Sequence, residues 1–261
     1  MNTYPNPFSE AINYQKMERM QQYDQQTLES FSNMSPMTRT QQPIVTGTSV
    51  LAVKFKDGIM MCTDCLASYG SLARFRNVER MIKVGDSTVI GASGDISDFQ
   101  YITYLMDKLI TKEYNANNGQ PLAPENIYEY LSQVMYQRRN KFDPLWNALV
   151  VGGFKEGKSF LGYINLKGTT YQSETIATGY GAYIAQPLLR NAVEKKNGEP
   201  LTEEEAKKLL DDCMRVLFYR DARSLNKLQR ATVTASGVTI SEPYSLETEW
   251  SFAEHIRGYG A

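Results

Sequence analysis

The sequence predicts an α+β fold in four layers, an αββα sandwich whose two stacked antiparallel sheets carry helix pairs on their outer faces. Three observations predict it. Short alternating apolar segments come in runs, helical periodicities come two at a time, and the order is strands, two helices, strands, two helices, strands. A doubly wound fold needs one helix after each strand, so paired helices favour two sheets face to face with the helices outside.

Residues 1 to about 42 are rich in Gln, Asn, Met, Ser and Tyr, show no sustained helix or strand period, and read as a flexible arm. The composition shifts at Pro43. PIVTGTSVLAVKF (43 to 55) reads as an extended stretch bearing the first strand, with Thr48 at its head and Leu51, Val53 and Phe55 on one face. Asp57-Gly58 is a hairpin turn signal, so IMMCTDC (59 to 65) returns antiparallel. LASYGSLARFRN reads as a loop. VERMIKV (78 to 84) and STVIGAS (87 to 93), joined at Gly85-Asp86, form a second hairpin and complete four strands in the first half.

Gly94-Asp95 opens a helix with Ile96, Phe99, Ile102, Met106 and Leu109 on one face. A second helix starts near Pro124, with Ile127, Leu131, Val134 and Met135 inward. WNALVVGGF, KSFLGYINL and TTYQSETIAT read as strands, the last two joined at Gly168. GAYIAQPLLRNAVEKK is helical, and a further helix begins at the capping box of Thr202 and Glu205 and runs to about Tyr219. QRATVTA and GVTISEP close the fold around Ser236-Gly237.

The chemistry is bounded by what the composition lacks. Lys and Arg number 28 against 29 Asp and Glu, a net charge of −1, which offers no electrostatic footprint for nucleic acid or an anionic membrane. No apolar run approaches a membrane span and no signal peptide is evident, so a soluble intracellular protein is expected. Three cysteines make no disulfide framework, and the CxxC of Cys62 and Cys65 has neither a helix start nor a second ligand pair, so both read as core. The single histidine, His255, supports neither a Ser-His-Asp site nor a metal site, so no metal and no cofactor are expected.

Catalysis would therefore need another base. A Thr at the head of a strand can supply one if the peptide bond before it is cut, because a free α-amine of pKa about 7.7 to 8 can take the hydroxyl proton. An amide nitrogen cannot, so everything depends on the Gly47-Thr48 bond.

At this point the chain resembles a known family. GTSVLAVKFKDGIMMCTDCLASYGSLARFRNVERMIKVGDSTVIGASGD resembles the N-terminal half of a proteasome β subunit, and YRDARS (219 to 224) resembles that family's later active-site segment. The likeness runs over residues 44 to 250, and TQQPIVTGTSV, MYQRRNKFDPLWN, ATGYGAYIAQPLLR and MRVLFYRDARS resemble blocks of a non-catalytic branch of the family. Active members use a processed Thr, an Asp, a Lys, a Ser-Gly step and an Asp-x-x-Ser-Gly-Gly segment. The resemblance places Thr48, Asp64, Asp221 and Ser224 at matching positions. It places Arg80 where the Lys stands, Tyr180 where the Ser before glycine stands, and Leu225 and Asn226 where the two glycines stand.

Guanidinium stays charged at any usable pH, so Arg80 cannot relay a proton. It is expected to form a forked, two-hydrogen-bond pair with Asp64. Tyr180 is expected to crowd the substrate position. Loss of a positioned base or relay costs about 10²- to 10⁴-fold in rate, and self-cleavage needs the same groups.

The resemblance thus implies a non-catalytic subunit of the 20S core, without cofactor. Its partners would be other α and β subunits in stacked seven-membered rings, with assembly chaperones and a regulatory particle met through the complex, in cytoplasm and nucleus. It implies a propeptide of residues 1–39 cut before Thr40, leaving a domain of residues 40–261. The C-terminal tail, about 246–261, with Trp250, Phe252 and Tyr259, reads equally as reaching a neighbour or docking on its own domain. The rival reading is an active N-terminal threonine hydrolase using Thr48 with Asp64 and Arg80. A third is a free-standing binding module of the same fold.

Overall fold

The computed structural model describes residues 41–116, 119 and 121–253. The expected arm of residues 1–39 with its cut before Thr40, and His255 and Tyr259, lie outside the described residues. The described elements run β1 (Val45–Gly47), β2 (Val50–Phe55), β3 (Gly58–Asp64), β4 (Ala67–Tyr69), β5 (Leu72–Phe75), β6 (Met81–Val84) and β7 (Thr88–Asp95), then α1 (Ile96–Ala116) and α2 (Pro124–Asn140). They continue with β8 (Asn147–Lys155), β9 (Lys158–Ile164), β10 (Thr170–Gln172), β11 (Thr175–Ala177), α3 (Gly181–Glu194), α4 (Glu203–Arg220), β12 (Leu228–Thr234) and β13 (Gly237–Ile240).

Two antiparallel sheets result, as the sequence predicts. The larger has the order β10-β9-β8-β7-β1-β4-β5, with β6 also on β7, and the smaller has the order β11-β2-β3-β12-β13. Period-two alternation along each strand sends its side chains into two different cores. Along β2, Val50 and Ala52 enter the core between the sheets with Ile59, Met61, Val89, Val150 and Leu161. Leu51 and Val53 enter the core under the second helix pair, against Leu210, Met214 and Leu217 of α4. Phe99, Ile102 and Met106 of α1 and Ile127 and Leu131 of α2 cover the outer face of the larger sheet, packing on Ile90, Leu149 and Val151. Because both faces of β3 are covered, its middle, Ile59 to Cys62, is an unbroken apolar run instead of an alternating one. The capping box at the start of α4 is present: Glu205 N–H donates to Thr202 Oγ1 at 3.3 Å, and Thr202 N–H donates to Glu205 Oε2 at 2.9 Å.

The structure corrects the strand reading in three places. PIVTGTSVLAVKF is two strands in two different sheets: β1 pairs with β4 and β7, and β2 pairs with β3 and β11. Thr48 heads no strand. It lies with Ser49 in the link by which the chain passes from one sheet to the other. TTYQSETIAT divides in the same way, with β10 in the larger sheet and β11 in the smaller. Finally, the segment read as a loop after Cys65 holds a small hairpin, β4 and β5 turning at Gly70, whose φ of 58° suits glycine. Its second strand is mostly exposed and carries no alternating apolar signal.

Candidate functional site

The crossover at Thr48 is held by groups from four segments. Val50 N–H donates to Thr178 Oγ1 at 2.9 Å, and Thr178 N–H donates to Val50 O at 2.9 Å. Ser49 Oγ accepts the N–H of Gly181 at 2.8 Å and so satisfies an otherwise unpaired donor at the start of α3. Neither Ser49 nor Thr178 stands out in the sequence, because one hydroxyl in a polar step carries no signal of a partner more than a hundred residues away.

Arg80 is the centre of the site. It directly precedes β6, at the point where β6 and β1 meet along one edge of β7, and it is completely buried. All five of its N–H donors are used. Nε donates to Asp64 O at 3.0 Å, Nη1 to Thr48 O at 2.9 Å and Ala92 O at 3.0 Å, and Nη2 to Ser49 O at 2.8 Å and to Asp64 Oδ1. Arg80 thus makes two hydrogen bonds to Asp64, one to its carboxylate and one to its main-chain carbonyl. Asp64 Oδ2 accepts the N–H of Leu225 at 3.0 Å, and the remaining guanidinium donors go to main-chain carbonyls. Burial pushes the Asp64 carboxyl above its usual range, while the Arg80 charge and the Leu225 N–H pull it back.

Thr48 Oγ1 donates to Asp221 Oδ2 at 2.6 Å, and Asp221 Oδ1 accepts the N–H of Arg223 at 2.9 Å. Asp221 reaches the threonine because it ends α4. Four of the predicted positions, Thr48, Asp64, Arg80 and Asp221, thus stand together. Ser224 does not join them: its hydroxyl bonds back to Asp221 O at 2.7 Å and Leu217 O at 3.3 Å. Asn226 clasps the C-terminal segment, donating to Leu246 O at 2.7 Å and accepting from Leu246 N–H at 2.9 Å.

Tyr180 lies beside Thr48 in the wall of a cleft of about 670 Å³. It is 54% exposed and its ring meets Tyr183 edge to face, with centroids 6.4 Å apart, so it borders the cleft without filling it.

The residues just before Thr48 close the strand edges beside it. Val45 and Thr46 pair with Tyr69 and Ser68 of β4, and Thr46 and Gly47 pair with Asp95 and Gly94 of β7. Asp95 anchors this arrangement, beyond its place at the opening of α1. Its Oδ1 accepts Ile44 N–H at 2.9 Å, and its Oδ2 accepts Asp98 N–H at 3.2 Å and the Ser97 hydroxyl. Burial alone would raise this carboxyl; the hydrogen bonds from Ser97, Ile44 and Asp98 outweigh it and hold the group below its usual range.

A carboxyl depressed in the folded state contributes stability above its unfolded pKa, about 3.9, and loses it as pH falls through the lower folded value. Denaturation midpoints should therefore fall more steeply below pH of about 4 in the unaltered chain than in Asp95→Asn. Parallel curves for the two would show that Asp95 does not supply the acid sensitivity.

Cys62, Cys65 and Cys213 are buried free thiols, and burial pushes Cys62 up to about 12. Among the described residues no acidic, cysteine and histidine cluster could hold a metal ion, and no helix is long and apolar enough to cross a membrane. The described part of the tail docks on α4: Arg215 Nε donates to Glu247 O at 3.0 Å, Glu249 N–H donates to the Tyr219 hydroxyl at 2.8 Å, and the Trp250 and Tyr219 rings lie 5.1 Å apart. Trp250 and Phe252 nonetheless stay about half exposed, so docking leaves ring surface open to a neighbour.

Comparison with known proteins gives the same family. A family model described as proteasome subunit matches residues 44–233. Proteasome subunit beta type-4 of Xenopus laevis is 50% identical over 232 residues, covering 89% of this chain and 95% of that protein. A probable proteasome subunit beta type-7 of Schizosaccharomyces pombe is 52% identical over 231 residues, 88% of each chain. Proteasome subunit beta type-7 of Saccharomyces cerevisiae is 49% identical over 234 residues, 87% of this chain and 88% of the yeast protein. With the two-sheet sandwich and a threonine at the sheet crossover, these matches show that the chain belongs to the proteasome subunit family.

Proposed function

We propose that this chain is a β subunit of the 20S proteasome core that performs no peptide hydrolysis and serves to build the proteolytic chamber. The observation that carries this reading is Arg80. A group that takes a proton from Thr48 and returns it must change protonation state, and guanidinium does not. Arg80 also has no donor left over, since its five N–H groups are spent on Asp64 and three main-chain carbonyls. The filled strand edges support the same reading. An extended peptide binds beside a nucleophile by pairing with a free strand edge, and β1 occupies both edges next to Thr48.

The hydroxyl of Thr48 does touch a carboxylate, Asp221, and that contact favours the rival, an N-terminal threonine peptidase. Two measurements separate the readings. The mature chain should start near Thr40, cut by another protease in the polar segment around Arg39, and a start at Thr48 would overturn the proposal. An electrophilic peptide inhibitor should leave Thr48 unmodified in the assembled particle. Arg80→Lys alone should not restore labelling, because Tyr180, Leu225 and Asn226 still differ from the active pattern; labelling of that variant would show that Arg80 is the sole block.

As a proteasome subunit the chain assembles with other subunits of that particle. On this reading it takes one place in a seven-membered β ring, its helix pairs meeting an α ring on one side and the opposite β ring on the other, in cytoplasm and nucleus. Chaperones and the regulatory particle meet it through the complex. A monomer on size exclusion would favour the free-standing module instead.

A further inference from the structure

We propose that the cleft beside Thr48 is a non-covalent binding site for the carboxyl end of short peptides. The inference rests on the reading above, in which the subunit lines a chamber where hydrolysis releases peptides with free C-terminal carboxylates.

The cleft survives although the catalytic apparatus does not. Its volume of about 670 Å³ falls within the range of small-molecule sites, roughly 300–1,000 Å³. Since β1 closes the edges of β4 and β7, a peptide cannot enter by extending the sheet and must present one end. The wall it meets is largely apolar, with Trp146, Ala148, Tyr163 and Leu166.

The charge at the rim selects which end. Arg220 and Arg223 line the cleft and are exposed, and neither has a carboxylate partner among the described residues. The one acidic group in the lining, Asp221, has one oxygen on Thr48 Oγ1 and the other on Arg223 N–H, so it presents no unclaimed oxygen to a peptide amine. A carboxylate is the peptide group that two guanidinium forks recognise.

The experiment uses assembled particles whose active threonines have been blocked irreversibly. A tripeptide carrying a photoreactive phenylalanine analogue and ending in leucine is supplied as the free acid or as the C-terminal amide, and the labelled positions are mapped by mass spectrometry. The acid should label this subunit within 146–148, 163–166 or 179–183, and labelling should fall roughly five- to tenfold for the amide. Arg220→Gln with Arg223→Gln should produce a similar fall, read in particles whose assembly is confirmed by size exclusion. Equal labelling by acid and amide, unchanged labelling of the double variant, or absence of label from these segments would each overturn the proposal. The acid-to-amide comparison needs no variant and holds even if the double substitution disturbs assembly. Failure here is distinct from failure of the function reading, which would appear as modification of Thr48 by the blocking reagent.

Discussion

Arg80→Met should destabilise the chain by about 3–5 kcal/mol, the cost of breaking a buried ion pair from one side. The substitution leaves the carboxylate of Asp64 nearly dry and without its cation, and it removes the donors from the carbonyls of Thr48, Ser49, Asp64 and Ala92 at once. Denaturation midpoints of the full chain, or incorporation into particles if the variant does not fold alone, would measure the effect. Asp64→Asn in the same background should recover part of the loss, since the uncompensated charge goes while the carbonyls stay unpaired. Recovery of the whole loss would mean that the carbonyl bonds contribute little; no recovery would mean that the ion pair does not matter. Arg80→Lys should fall between, because an ammonium keeps the charge but brings three donors where five are used.

Gly47→Ala should cost about 1–3 kcal/mol for a purely steric reason. A Cβ at Gly47 would stand 2.4 Å from Arg80 Cδ and 2.9 Å from Nη1. A free arginine could swing away, but this one is pinned at its head by five hydrogen bonds, so β1 must move instead. The backbone of Gly47 does not have a positive φ, so strain of that kind plays no part. The cost should shrink in an Arg80→Met background, where the side chain can yield, and the two substitutions should be non-additive. Additive costs would show that the clash is taken up elsewhere. The glycine before the threonine is thus required here by the arginine that packs on it, whatever its part in a cleavage step.

The two sides of the site differ in how far they could be read from the sequence. The arginine at position 80 is visible as a residue type, and its chemistry follows from that type alone: no titration, five donors, a preference for planar acceptors. Asp64 apart, the acceptors it finds are invisible. Four of its bonds go to main-chain carbonyls, which look the same at every residue, and those of Thr48, Ser49 and Ala92 come within reach because β6 and β1 meet on one edge of β7. Asp95 shows the same limit, since helix opening is legible in its position before an amphipathic run while its bond to Ile44 is not.

The exchange of sheets at Thr48 is a further case. Residues 44 to 55 read as extended chain, and an extended pattern records only that each side chain faces the opposite way from its neighbour. It does not record which strand lies alongside, so a chain that leaves one sheet and joins another in two residues reads as one strand.

By itself the sequence determined the order of elements, the pairing of helices, the faces they bury and the absence of a second histidine, because periodicity and side-chain type are local properties. Tertiary structure alone decided that Thr48 is a crossover residue, that Arg80 is saturated by carbonyls as well as by Asp64, and that the chain's own β1 closes the strand edges beside the threonine. Each of those depends on segments dozens to more than a hundred residues apart, brought within 3 Å or so by the burial of three separate cores.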